Sequence, residues 1–487
     1  MLKILFVTSE VFPLMKTGGL ADVSGSLPNA LQKLGLDIRL LIPGYTAVLN
    51  ALGNTEKIAT IDHLPEIGKV ELHLGHIPDT QVPVMVIKAP ALYEREGNPY
   101  VDATGQDWPD NALRFGILSK VAALLANKKK HILDWQPDIV HCNDWQTGLA
   151  PAYIKLVEHS KTPSVMSIHN MAYQGSFAAN YLHTLKLPPE HFVMEGYEYH
   201  GQLSFLKAGL YYADAISTVS PRYAFEIQTT AFGFGLEGLL SKRSHEITGI
   251  LNGIEPEEWN PKHDGYICEN YSIRKLSNKK IVKQALQERL GLETNANAPL
   301  LGVVSRLTYQ KGLDMLLPVM PDLLNQGCQL AMLGSGDYHL EQAFASLAAQ
   351  YPKQVAVTIG YNEPLSHQIM AGTDMFIMPS RFEPCGLNQL YGLAYGTPPI
   401  VNATGGLADS VIDTYENTLK NKTANGFVMS ETSANGLLHT VQRAVNTYKE
   451  TPKTWLQLQK SGMSLNLSWD NSAQAYLKMY EDLLENA

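Results

Sequence analysis

Short apolar runs rich in β-branched residues recur along the chain, each closed by turn residues and followed by a longer stretch of helical period. In the first half they occupy 4–8, 38–42, 84–87, 138–141, 164–169 and 215–219. After a break they resume at 248–251, 300–305, 329–333, 355–359, 374–378 and 399–402. Strands that alternate with helices predict parallel sheets wrapped by helices, and two such series predict two doubly wound α/β domains. The polar stretch "SKRSHE" marks the seam, which gives domains over 1–243 and 244–465. A last helical stripe, Ala473, Tyr476, Leu477, Tyr480, Leu483 and Leu484, needs a surface to dock on and sets 466–487 apart. Early in each half a loop carrying Lys and Gly follows a strand, "MKTGGLADV" and "LTYQKGLDML". Two similar domains facing one another across a cleft would bring both loops to one opening.

Composition narrows the class. With 45% hydrophobic and 17% charged residues in a chain of 487, the sequence has ample material for two cores and no disordered tract. A net charge of -9 argues against a general grip on nucleic acid or an anionic membrane, since both need a basic footprint. No run approaches the roughly 20 apolar residues that a membrane span needs. Cys142, Cys268, Cys328 and Cys385 lie far apart without metal-like spacing and read as reduced thiols of a cytoplasmic protein.

Candidate chemistry sits at predicted strand ends. In "VVSRLTYQKGLD" Arg306 follows a strand and Lys311 opens the next helix. A guanidinium, an ammonium and a helix N-terminus together suit a diphosphate, bound or departing. In "KTGGLADV" Lys16 stands beside Gly18 and Gly19, whose backbone amides have room to approach an anion. The P-loop string is absent, which disfavours ordinary nucleotide hydrolysis. "GFGLEG" matches the dinucleotide fingerprint, but "EIQTTAF" precedes it where a buried strand belongs, so it reads as a loop.

The stretch "PSRFEPCGLNQL" carries the sharpest signal. Pro384 disfavours a helical Glu383, while Gly386 and the amides after it lead into a helix. A carboxylate beside a diphosphate would repel it, so Glu383 fits only a ligand with a hydroxyl-rich part on that side, as a sugar nucleotide has. In the first half "PDIVHCNDW" and "SVMSIHNMAYQG" end two strands with Asp144 and His169. The chain contains no D-x-D, no H-E-x-x-H and no G-x-S-x-G, so neither a carboxylate-held metal nor a serine nucleophile is expected.

The chain resembles bacterial glycogen synthases and plant starch synthases, glucosyltransferases of the GT-B architecture, nearly end to end. The resemblance rests on "KTGGLADV", "HCNDWQTGLAPAY", "IHNMAYQG", "FLKAGLYYADAISTVSP", "GFGLEGLL", "GILNGIE", "VSRLTYQKGLD", "PSRFEPCGLNQLYGLAYGTPPIV" and "TGGLADSV". It implies transfer of glucose from ADP-glucose to the non-reducing 4-hydroxyl of an α-1,4-glucan, with retention and with no metal or cofactor. Carried over, Lys16, Gly18 and Gly19 bind the donor, and Arg306 and Lys311 neutralise the leaving diphosphate. Glu383 contacts the glucose, and the backbone of Cys385, Gly386, Leu387 and Asn388 holds sugar and phosphate. His169 and Asp144 face the reacting centre, and Asn252 and Tyr361 line the site. The last helix corresponds to the family segment that crosses back to the first domain. Asn388 stands where many bacterial members have Thr, and Phe234 where Cys is common; neither removes a required group.

The resemblance implies front-face attack, in which the departing phosphate takes the acceptor proton, over a covalent glucosyl-enzyme. Two other readings of the same fold are a sugar-nucleotide epimerase, which needs no glucan, and a non-catalytic glucan-binding protein. The latter has no reason to keep Lys16, Arg306, Lys311 and Glu383 together.

Overall fold

A computed structural model of the chain describes residues 1–485. It divides into two compact units, one of Met1–Asn252 joined by the segment that begins at Trp469, the other of Gly253–Ser468.

The strands of the first unit are β1 (Lys3–Val7), β2 (Asp37–Pro43), β3 (Glu56–Leu64), β4 (Gly68–His76), β5 (Pro83–Lys88), β6 (Ile139–Asn143), β7 (Ser164–Ile168), β8 (Ser176–Ala178), β9 (Glu198–Tyr199), β10 (Gln202–Ser204), β11 (Ala215–Thr218) and β12 (Ile247–Gly249). Nine form one sheet in the order β12-β11-β7-β6-β1-β2-β5-β4-β3, and β8-β10-β9 form a small second one. From β12 to β5 neighbours are parallel; β4 and β3 add an antiparallel edge. The central strands read as continuous apolar runs because helices cover both faces, so Ile4 to Val7 and the whole of β7 are buried.

The strands of the second unit are β13 (Leu300–Val304), β14 (Gln329–Gly334), β15 (Val355–Ile359), β16 (Met375–Met378), β17 (Pro399–Asn402) and β18 (Phe427–Met429). They form one parallel sheet ordered β15-β14-β13-β16-β17-β18. One core packs Leu301, Val303, Leu330 and Ile377 against Leu437, Val441 and Trp455 of the helices on one face. Another packs Phe376 and Val401 against Trp259, Tyr391 and Tyr395.

The seam falls later than the sequence places it. The run near 248 does not begin the second series, because β12 pairs with β11 in the first sheet and Ile250 N donates to Thr218 O. The first unit therefore reaches Asn252 rather than 243. At the other boundary the second unit keeps residues up to Ser468, since Ile254 N donates to Leu467 O.

The helix Asp470–Glu485 belongs to the first unit and packs on the helix Gly19–Lys33. Its buried stripe is Ser472, Ala473, Tyr476, Met479 and Tyr480, so Leu484 of the expected stripe is exposed and Met479 takes the inward position. Two polar anchors fix it: Ser472 Oγ donates to Leu251 O at 2.5 Å, and Tyr480 OH meets Nδ1 of the buried His141 at 2.6 Å. Among the described residues no helix is long and apolar enough to cross a membrane.

Candidate active site

In the second sheet the chain moves outward from β13 through β14 to β15, then returns to the other side of β13 for β16. Loops that leave the carboxyl ends of two such neighbours diverge and leave a crevice, where open α/β folds bind ligands. Arg306 follows β13 and Glu383 follows β16, so both stand at this point.

Lys311 Nζ donates to Glu383 Oε2 at 2.5 Å, and Ser380 Oγ reaches the same oxygen at 3.0 Å. Glu383 is only 6% exposed. Arg306 is exposed, and among the described residues its guanidinium makes no hydrogen bond or ion pair. The two loops are clamped together. Arg381 N donates to Gln310 O at 2.8 Å, Gln310 Nε2 to Phe382 O at 3.2 Å, and the Arg381 guanidinium makes two 2.7 Å bonds to Asp314 while lying 3.9 Å over the Tyr309 ring. Gly312 allows the approach: its φ is 69°, and a Cβ there would sit 2.2 Å from Pro379 O.

Lys311 does not open a regular helix. Short 3-10 turns at Tyr309–Lys311, Leu313–Met315 and Leu317–Val319 precede the helix Met320–Asn325, because left-handed Gly312 and the prolines at 318 and 321 interrupt it. Positive charge here comes from side chains rather than from a helix dipole.

From Glu383 the chain passes through Cys385, Gly386 and Leu387 into the helix Asn388–Ala394. Gln389 Nε2 braces the turn by donating to Cys385 O at 3.0 Å and Gly386 O at 2.9 Å, and Asn388 Nδ2 donates to Val304 O at 2.7 Å. Cys385 is buried. The "TGGLADSV" glycines serve the same loop: Gly406 N donates to Glu383 O at 3.1 Å, and a Cβ on Gly406 would lie 2.1 Å from Cys385 O. Tyr361, beyond β15, is 80% exposed, and its hydroxyl donates to Glu363.

The first sheet has its own switch between β1 and β6, and Lys16, Asp144 and His169 follow β1, β6 and β7 at that edge. The Lys16 turn is wrapped around a carboxylate that the sequence reading missed. Glu10, 3% exposed, accepts from Thr17 N at 2.5 Å, Thr17 Oγ1 at 2.6 Å, Gly18 N at 3.2 Å and the Tyr100 hydroxyl. The Gly18 amide is thus committed to Glu10 and not open to an anion, contrary to the expectation from the sequence. Gly18 and Gly19 face open space, where a Cβ would meet nothing within 4 Å. Lys16 pairs with Asp22 at 2.8 Å.

Asp144 has φ 54°, unusual for a residue with a Cβ, and its Oδ1 accepts His169 N at 2.7 Å and Asn170 N at 3.4 Å. Burial raises its pKa to about 7, against the opposing pull of those amides. His169 Nε2 lies 3.0 Å from Asn143 Oδ1. Asn143 Nδ2 donates to Val7 O at 3.0 Å, which fixes the amide's orientation and makes His169 Nε2 the N–H donor. Nδ1 therefore carries the lone pair. Burial lowers the imidazole's pKa to about 4, so the ring is neutral at physiological pH. Asn252 ends the first unit, 7% exposed, with its Oδ1 unpartnered among the described residues. No strand precedes "GFGLEG", as read, but only 233–236 form a loop: Glu237 and Gly238 begin the short helix Glu237–Lys242, and Phe234 O accepts from Gln174 Nε2 at 2.9 Å.

The chain matches the family described as starch synthase catalytic domain over residues 3–242 and that described as glycosyl transferases group 1 over 283–457. It is 53% identical to a glycogen synthase of Nitrosomonas eutropha, covering 99% of this chain and 97% of that protein. It is 51% identical to a glycogen synthase of Nitrosomonas europaea, covering 99% and 98%. Among solved structures it is similar to the catalytic domain of starch synthase IV from Arabidopsis thaliana bound to ADP and acarbose, with TM-score 0.86, 30% identity and 99% coverage of both chains. A strand order that places Arg306, Lys311 and Glu383 at one switch point, with likeness of this extent over the whole length, settles the kinship: the chain belongs to the glycogen synthases, GT-B glucosyltransferases of glycogen synthesis.

Proposed function

We propose that the chain transfers glucose from ADP-glucose to the non-reducing 4-hydroxyl of an α-1,4-glucan, with retention and without a metal, in the cytoplasm. The observation that carries this reading is the Lys311–Glu383 pair beside Arg306. An ammonium has three donors, so Lys311 can hold Glu383 with one and a phosphate oxygen with another. The pairing also answers the repulsion objection: Glu383 is neutralised before an anionic donor arrives. The ADP bound to the similar plant starch synthase supports an adenine diphosphate as leaving group.

In this reading Arg306 and Lys311 stabilise the departing diphosphate, and Glu383 accepts a glucose hydroxyl. Cys385, Gly386, Leu387 and Asn388 present backbone to sugar and phosphate, and Tyr361 packs on the donor. In the first unit Lys16 and the Gly18 and Gly19 turn meet the donor, with the Gly19 amide at the open first position of its helix as the donor group. His169 Nδ1 accepts a sugar hydroxyl, Asn252 presents its amide oxygen, and Asp144 positions His169 through its backbone. The bond from glucose C1 to the diphosphate oxygen breaks as the acceptor O4 bonds to C1 on the same face. The O4 proton passes to the departing phosphate oxygen, whose charge the cations stabilise.

Incubation with ADP-glucose labelled in the sugar, together with glycogen, tests the reading. Label is expected in the polymer, released by hydrolysis of α-1,4 bonds. Donor left untouched, or epimerised without polymer labelling, would reject it, and so would trapping of a glucosyl adduct on Glu383 or Asp144.

A further inference from the structure

The second unit holds a buried histidine that the transfer does not use. His367, on the helix Glu363–Gly372, is fully buried. Its ring stacks on Trp259 with centroids 3.8 Å apart and planes within 15°, and Trp259 stacks in turn on Tyr391 at 3.7 Å. Its Nδ1 lies 2.9 Å from Asp264 Oδ2, an oxygen that also accepts the Tyr395 hydroxyl at 2.5 Å. A carboxylate at Nδ1 keeps the proton there, so the ring is fixed in plane, rotation and tautomer, with Nε2 as its working atom.

Nε2 is buried and has no hydrogen-bond partner among the described residues. Glu363 Oε1 lies 3.5 Å from it, and with a Glu258 carboxylate oxygen these ligand atoms all lie within 4.8 Å of one another. For N and O ligands about 2.0–2.2 Å from a zinc ion, the edge of a tetrahedron is about 3.4 Å, close to the observed Nε2–Oε1 separation. Glu258 and Glu363 are half-buried and His367 is buried, so the three groups are screened from bulk water. We propose that Glu258, Glu363 and His367 form a binding site for one divalent transition cation of the zinc class. The carboxylate behind His367 is the arrangement that orients a metal-binding imidazole and raises its basicity. One imidazole and two carboxylates favour zinc or cobalt over magnesium or calcium, which prefer oxygen alone.

The cation joins the segment carrying Glu258 and Trp259 to the helix after β15, and through Glu363 it also fixes the partner of the Tyr361 hydroxyl. A proton competes for the same place. Burial alone would lower the pKa of His367, but its contacts with Asp264 and Glu363 outweigh this and hold it at about 9. The titratable groups around the ring are Asp264, Glu258, Glu363, Tyr266 and Tyr395.

The test uses the full chain, stripped with chelator and titrated with Zn2+ by calorimetry, then with Co2+ by visible absorption. The expected result is one saturable site per chain and ligand-field bands from bound Co2+. Glu258→Gln and Glu363→Gln keep the size of the side chain and should weaken binding at least about tenfold. Circular dichroism checks that each variant is folded. Absence of saturable binding, or equal binding in wild type and both variants, would overturn the assignment.

Discussion

The ammonium of Lys311 sits 2.5 Å from the carboxylate of Glu383, with the two side chains only 17% and 8% exposed. The pair joins the loop after β13 to the loop after β16 across the switch point of the second sheet. It is a structural contact, and in the proposed reading also a chemical one, so the two roles have to be separated by experiment.

Lys311→Ala leaves the Glu383 carboxylate buried with the Ser380 hydroxyl as its remaining side-chain donor. The loss should be about 3 kcal/mol, the scale for breaking a shielded ion pair from one side. Adding Glu383→Gln should recover most of the stability and none of the turnover. Urea denaturation of both singles and the double variant measures the coupling.

Gly406→Ala places a methyl group 2.1 Å from Cys385 O and 2.5 Å from Cys385 Cα, backbone atoms that cannot step aside. The loop carrying Glu383 must shift, and a misplacement of about 1 Å is expected to lower turnover roughly 10²-fold. Steady-state kinetics on the folded variant checks this, and near-normal kcat would show that the loop position is not critical.

Asp144 gives stability a pH dependence with a definite sign. Its folded-state pKa of about 7 lies above the ordinary 3.8, so the native state holds the proton more tightly than the unfolded chain. Its contribution is present below about pH 4 and is lost as pH rises through about 7. Asp144→Asn keeps an acceptor for His169 N and cannot ionise, so it should lack this slope and gain on the wild type between those limits. Urea midpoints at pH 5 and pH 8 for both proteins decide it.

Tyr480→Phe removes the hydroxyl that pairs with His141 Nδ1 inside the first unit. His141 is fully buried, and burial already lowers its pKa to about 3, so it cannot recover the loss by taking a proton at neutral pH. The expected cost is about 1–3 kcal/mol, seen as a lower thermal midpoint.

The alternating fold was legible because strands covered on both faces leave unbroken apolar runs, as in β1, β7 and β14. The β3–β4 hairpin was not, because one face is solvated. Only the period-two spacing of Val70, Leu72 and Leu74 marks it, amid Glu56, Lys57, Lys69 and Glu71. The strand β12 was legible in position and misplaced in membership, since pairing partners are not written in a local run. Arg306, Lys311 and Glu383 could be read from their strand ends. Glu10 could not, because Thr17 and Gly18 lie several residues on and Tyr100 lies 90 residues away.

Arg306 offers the most direct test, because its exposed guanidinium has no partner among the described residues and removing it should leave stability within about 0.5 kcal/mol. Turnover of labelled ADP-glucose into glycogen by Arg306→Ala is the measurement, with the thermal midpoint recorded alongside. A fall of at least about 10²-fold in kcat at an unchanged midpoint is predicted, from lost stabilisation of the leaving diphosphate. A kcat near that of the wild type would contradict the account.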